Sequence, residues 1–218
     1  MSKQHDKPIT TKEKILETAA GMFAERGYDK VTTREIAKAI GINSASIYHH
    51  FPSKEAILKN LYRFYSERLQ NECPDLEELL RLAETDPPHE VLMKAEFHFD
   101  DEIRGMLDNI LITAARRLGA DPESERFIRE NIFDPTLNIV KPLLERMAAL
   151  GRIEPLDIDV FLSALTFYCF SAAALSKSPF GHCVARYRSV MSFLFSFIER
   201  RQASRNSTNQ HLNCPSNF

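Results

Sequence analysis

The feature that most constrains this chain is the spacing of caps and breakers from Thr32 to Phe51, TTREIAKAIGINSASIYHHF. Thr32 and Glu35 have the separation of a capping box, in which hydroxyl and carboxylate each satisfy a backbone N–H left over at a helix start. Gly41 stops that helix at a position that favours left-handed backbone. A second, very short helix follows Asn43 and ends near His50, where Pro52 and Ser53 break it. This is the spacing of a helix-turn-helix: a supporting helix, a sharp turn, and a second helix left accessible. Ile36, Ala37 and Ile40 face inward, and the small Ala37 lets the second helix cross closely. Ile42 and Ile47 anchor the turn and the second helix. Ser44, Ala45, Ser46, Tyr48, His49 and His50 are left to face outward, and Phe51 reads as core. Taken alone, the pattern also suits a three-helix bundle with a tight corner and no further role.

The flanks have the same helical grammar. Thr10 and Glu13 form another capping box, followed by the apolar stripe Ile15, Leu16, Ala19, Ala20, Met22 and Phe23, and Gly27 ends that helix. From Lys54 to about Asn71 a linking helix carries Ile57, Leu58, Leu61, Tyr62, Tyr65 and Leu69 on one side. Cys73-Pro74 reads as a joint and Pro87-Pro88 as a break. Beyond them the periodicity predicts helices at roughly 89–97, 101–118, 123–150, 157–177 and 182–201, with Pro135 and Pro142 bending or splitting the third. No run alternates as a strand would and no repeat occurs, so the expected fold class is all-α. The expected division is a flexible N-terminus at 1–9, a helix-turn-helix domain at 10–55 with its linking helix at about 54–71, a larger helical domain at 72–201, and a disordered tail at 202–218.

Charge sharpens the division. Residues 1–70 hold 12 Lys and Arg against 8 Asp and Glu, or +4, while the rest of the chain carries −6. A basic head on an acidic body suits a polyanionic partner for the head alone. The four cysteines, Cys73, Cys169, Cys183 and Cys214, have no CxxC spacing, so neither a zinc site nor a redox pair is indicated, and a reduced, cytoplasmic setting is the simplest expectation. The N-terminus has no apolar signal region, and the apolar run Val160 to Leu175 is short of the ~20 residues of a membrane span. Nucleophile elbow, HExxH and phosphate-binding glycine loop are all missing, which argues against an enzyme and against a cofactor. His49 and His50 point about 100° apart on a helix and poorly share an ion. The acidic stretch EFHFDDE, Glu96 to Glu102, reads as an ordinary acidic helix start. No metal is expected.

The stretch from Lys14 to about Leu61, ILETAAGMFAERGYDKVTTREIAKAIGINSASIYHHFPSKEAIL, resembles the DNA-binding domain of the TetR family of transcriptional regulators. The matching parts are the first helix ending in FAERGY, the supporting helix TTREIAKAIGI, the recognition segment IYHHFPSKEAIL and the start of the linking helix. The resemblance implies an N-terminal three-helix domain joined by the linking helix to a C-terminal ligand-binding and dimerisation domain. It places Thr33 and Arg34 beside DNA at the start of the supporting helix. Ser44, Ala45 and Ser46 then open the recognition helix, Tyr48, His49 and His50 lie along its DNA-facing side, and Lys54 starts the next helix at a phosphate. The chemistry agrees. Helix starts present free N–H groups to phosphate, and the Thr33 hydroxyl and Lys54 ammonium add direct contacts. Small residues at 44–46 let the helix sit deep, and Arg34 can grip a guanine edge with two bonds.

One recognition helix reads few base pairs, and dimers gain specificity by holding two about 34 Å apart. The segment Val160–Leu175 is apolar nearly all round, and VMSFLFSFI at 190–198 is similar. The resemblance implies a homodimer through the last two helices, about 157–177 and 182–201. It also implies a small-molecule effector held by the middle helices, for which Phe97, His98, Arg104, Phe133 and Tyr168 are candidates. The expected function is a dimeric regulator, a repressor, that binds a palindromic operator on double-stranded DNA and is released by its effector. The alternative is a helical protein–protein interaction module without DNA binding.

Overall fold

The computed structural model describes residues 10–95, 101–153 and 156–175, and no strand occurs among them. Residues 1–9, the candidates Phe97 and His98, the helix expected at 182–201 and the tail at 202–218 lie outside the described residues. Ten α-helices are described: α1 (Thr11–Arg26), α2 (Thr33–Ala39), α3 (Ser44–His50), α4 (Lys54–Asn71), α5 (Leu76–Thr85), α6 (Pro88–Lys94), α7 (Asp101–Ala115), α8 (Pro122–Ile128), α9 (Lys141–Ala149) and α10 (Ile158–Leu175). The described residues fall into two compact units, one of 10–71 with 101–128, the other of 72–95 with 129–153 and 156–175.

In the first unit both expected capping boxes are formed. The Thr10 and Thr32 hydroxyls accept from the amides of Glu13 and Glu35, and each glutamate carboxylate takes the amide of its threonine at 2.8 Å. The apolar stripe of α1 packs with α2, α4 and α7, and Ile15, Phe23, Ile36, Ile47, Phe51, Ile57 and Leu61 are all sealed from solvent. Burying a side chain of that size contributes about 1.5–3 kcal/mol, so seven such groups outweigh any single surface contact of the head. The unit that contains the head therefore includes α7 and α8 as well as residues up to 71.

The second unit has its own core, in which Leu79, Val91, Leu143, Leu144, Met147, Ile153 and Leu162 meet. It also contains a helix that the periodicity left between two breaks. In α5 the Asp75 carboxylate caps the chain by accepting from the amides of Glu77 (2.9 Å) and Glu78 (3.4 Å). The long segment expected at 123–150 is divided at its prolines. Pro135 has no N–H for the carbonyl four residues back, and the turns on either side, Arg129–Phe133 and Thr136–Val140, widen to π-helical pairing. Pro142 lies in the first turn of α9, where a missing N–H costs little. None of the described helices is long and apolar enough to cross a membrane.

Candidate nucleic-acid interface

The corner between α2 and α3 is made by hydrogen bonds that only one backbone path allows. Gly41 has φ 73°, in the left-handed region. Its amide donates to the Lys38 carbonyl at 3.3 Å, and the next amide, of Ile42, reaches back to the Ala37 carbonyl at 3.0 Å. This is the Schellman arrangement, which satisfies two carbonyls at the helix end while turning the chain sharply. Asn43 then caps α3, its side-chain oxygen accepting from the Ser46 amide (2.8 Å) and the Ser46 hydroxyl (3.0 Å). Ile47, fully buried, pins α3 to the core with one side chain. Everything else on this seven-residue helix is partly or fully exposed.

The outer surface of the pair follows from that anchoring. Tyr48 is 54% exposed, an unusual position for so large a ring in a monomeric surface. Its hydroxyl lies 3.1 Å from that of Thr33, so the start of α2 and the middle of α3 meet through two O–H groups. Arg34, Ala45, His49 and His50 are exposed beside them, and Ser44 and Ser46 are half-buried. The rings of His49 and His50 stand edge to face at 5.4 Å, and no metal-binding cluster occurs among the described residues. Arg34 has no ion-pair partner among the described residues, whereas Arg26 on α1 holds the Glu35 carboxylate at 2.5 Å. That bond, with those from Thr32, pulls the Glu35 carboxyl from 4.5 to about 2, so the capping box keeps its charge.

Lys54 is placed differently from its neighbours. Its ammonium donates to the carbonyls of Tyr28 (3.0 Å) and Val31 (3.1 Å) and sits 4.2 Å from the centroid of the Tyr28 ring. Two of its three protons are thus engaged inside the head. The Lys54 amide, at the first position of α4, has no helical acceptor. A cation that the motif does not contain also borders the surface: the Lys12 ammonium lies 5.8 Å from the centroid of Phe51, just past the end of α3. Its position in α1 gives no sequence signal for that proximity.

Of the effector candidates, Arg104 lies in the first unit, on α7. Phe133 and Tyr168 lie in the second, on a π-helical turn and on α10, which pack together. Phe133 is exposed and Tyr168 half-buried.

The helix-turn-helix is matched by the family description "Bacterial regulatory proteins, tetR family" over residues 15–61. The chain is 30% identical over 173 residues to the HTH-type transcriptional repressor AcnR of Corynebacterium efficiens, covering 75% of this chain and 78% of AcnR. This chain belongs to the TetR family. A shorter match is to the HTH-type transcriptional repressor KstR2 of Mycobacterium tuberculosis, 51% identical over 55 residues, 25% of this chain and 28% of KstR2. In architecture the chain is similar to the TetR-family regulator PfmR of Thermus thermophilus, with a TM-score of 0.60 at 23% identity, over 88% of this chain and 96% of PfmR. As a TetR-family protein it is a helix-turn-helix regulator that binds DNA, not an enzyme, and the interaction module without DNA binding is set aside.

Proposed function

We propose that the protein is a homodimeric transcriptional repressor that binds a palindromic operator and is released by a small-molecule effector. The proposed DNA contacts are Thr33, Arg34, Ser44, Ala45, Ser46, Tyr48, His49, His50 and Lys54. The observation that carries this reading is the Thr33–Tyr48 hydroxyl pair, 3.1 Å apart on an open surface. Whichever hydroxyl donates to the other, the second keeps a proton for an outside acceptor, and phosphate is the acceptor that a duplex presents along its backbone. Arg34, exposed alongside and unpaired among the described residues, supplies the group able to reach a guanine edge. For Lys54 the proposed phosphate contact is through the backbone amide, since the ammonium is engaged with carbonyls.

Repression is supported by the names of the relatives: AcnR and KstR2 are both called transcriptional repressors. A dimer is supported by α10, where Val160 (64% exposed) and Phe167 (72% exposed) lie seven residues apart on one face. Two large apolar groups in line on a helix suit a partner subunit better than water. For the effector, we propose Phe133 and Tyr168 as contacts, since their elements pack together within the second unit. The test is selection of duplexes from a random-sequence pool at low salt, followed by anisotropy titration and a mass measurement of the complex. An enriched sequence with two-fold symmetry, bound by two chains, is expected. A dimer that enriches no sequence would return the protein to the interaction reading.

A further inference from the structure

The first unit also contains a chain of polar contacts that no motif predicts. Tyr28 follows Gly27 at the end of α1 and is buried, edge to face with Phe23 at 5.0 Å. Two cations lie over its ring: the Lys54 ammonium at 4.2 Å from the centroid and the Arg117 guanidinium at 4.1 Å. The Tyr28 hydroxyl donates to Glu55 at 3.1 Å. Arg117, just past α7, is 19% exposed and pairs with Asp29 at 3.5 Å and with Asp121 at 3.4 Å. Its neighbour Arg116 donates to the Ala24 carbonyl in the last turn of α1.

Asp121 carries the chain onward. Its Oδ2 accepts from the Ser124 hydroxyl at 2.5 Å and from the Ser124 amide at 3.2 Å, capping α8. Because the single Ser124 hydroxyl proton goes to that carboxylate, the Tyr62 hydroxyl, 2.7 Å away, is the donor to Ser124. Burial works against the charge on Asp121, but the Ser124 bond and the Arg117 charge outweigh it and hold the carboxyl below its ordinary value. The contacts therefore leave α4 at Lys54 and Glu55, cross Tyr28, Arg117, Asp121 and Ser124, and return to α4 at Tyr62. Ser124 is fully buried, and the Tyr62 ring stacks on Phe127 at 4.3 Å.

Resting on the DNA-binding reading above, we propose that Arg117 is a positioning residue for operator recognition. It locks the Tyr28 turn against α4 and α8, and with it the start of α2. Only Val31 and the Thr32 cap separate the Tyr28–Lys30 turn from Thr33 and Arg34, so the place of that turn sets the place of both groups. No single one of these contacts fixes the turn by itself. Their common effect is geometric: they restrict which positions α2 can take. Specific binding needs that restriction, because Arg34 must meet a base edge in register. Sequence-blind phosphate attraction does not.

The test uses the full chain, a duplex selected by the wild type from a random pool, and a scrambled duplex of the same length. Arg117→Ala is expected to weaken the specific duplex about tenfold, equivalent to about 1.4 kcal/mol, and the scrambled duplex by less than about twofold. The dependence of log affinity on log salt stays as in the wild type, because no phosphate contact is lost. Equal weakening of both duplexes overturns the proposal: with a shallower salt slope Arg117 is a phosphate contact, and with an unchanged slope it only maintains the active fraction. Wild-type affinity for the specific duplex also overturns it. Should Arg117→Ala fail to fold, Arg117→Lys is measured the same way. It keeps a cation over the ring but lacks the fork that spans Asp29 and Asp121, so an intermediate loss confined to the specific duplex is expected, and an unchanged ratio overturns the proposal. A wild type that selects no sequence would remove the DNA-binding reading itself, which a binding wild type with an unaltered variant does not.

Discussion

Two faces of the first unit use their polar groups in opposite ways. On the α2–α3 side, Tyr48, Arg34, His49 and His50 stand in solvent, and Tyr48 reaches only another exposed hydroxyl. Around Tyr28, by contrast, Lys54, Arg117, Asp121, Ser124 and Tyr62 are joined through the Tyr28 ring and carbonyl in a continuous run. Both faces are rich in groups that could meet a phosphate, so counting basic residues does not tell them apart. What separates them is whether the donors already have acceptors. Free donors on a rigid frame suit an external anion, and engaged donors make the frame rigid.

The largest expected effect tests the core that both faces share. Ile47→Ala removes the one buried side chain of α3 and is expected to cost about 2–5 kcal/mol of stability, measured by denaturant unfolding. A smaller loss than that would mean α3 is held from its ends and the faces are less dependent on one core. Next is Arg34→Ala, expected to lose about 1–3 kcal/mol of discrimination at particular base pairs while leaving the melting midpoint unchanged. Uniform loss across all base substitutions would move Arg34 from base edge to backbone. Tyr48→Ala is expected to weaken every duplex, by about 1 kcal/mol, with the salt slope intact, because a neutral hydroxyl on a phosphate releases no counterion. Lys54→Ala should weaken binding with the slope intact, since its ammonium faces carbonyls. If Lys54→Ala lowered the slope, its ammonium would be a phosphate contact and the contrast between the faces would fail at that residue.

The smallest effect is one of pH. The Glu35 carboxyl is held at about 2 in the fold against an ordinary 4.5, chiefly by Arg26. A depressed carboxyl contributes stability that is present above its unfolded value and lost as pH falls through the folded one. The difference in unfolding midpoint between wild type and Glu35→Gln should therefore be constant above about pH 5 and shrink between 4.5 and about 2. A difference that persists at pH 2 would assign the effect to the shape of the side chain, not its charge.

Much of the head was legible because its signals are local. Thr10 with Glu13 and Thr32 with Glu35 are three residues apart, and a capping box closes within that window whatever lies around it. Gly41 and Asn43 delimit the corner in the same way. The second unit was less legible. Helix α5 lies between two proline breaks, and its apolar residues acquire meaning only against α9. The widened turns around Pro135 could be expected as a break but not as π-helical pairing.

At the candidate site the limit is sharper. Which side chains border the corner, and where its two helices begin and end, could be read from spacing alone, because hydrogen bonds over three or four residues decide these. Where the cations go was left to long-range packing. The Lys54 ammonium could as well have pointed to solvent, and Arg117 lies 88 positions from Asp29 in sequence. Helices α1 and α7 pack together, with Phe23 on the one and Ile110 and Ile112 on the other fully buried, and such long-range packing has no counterpart in local spacing.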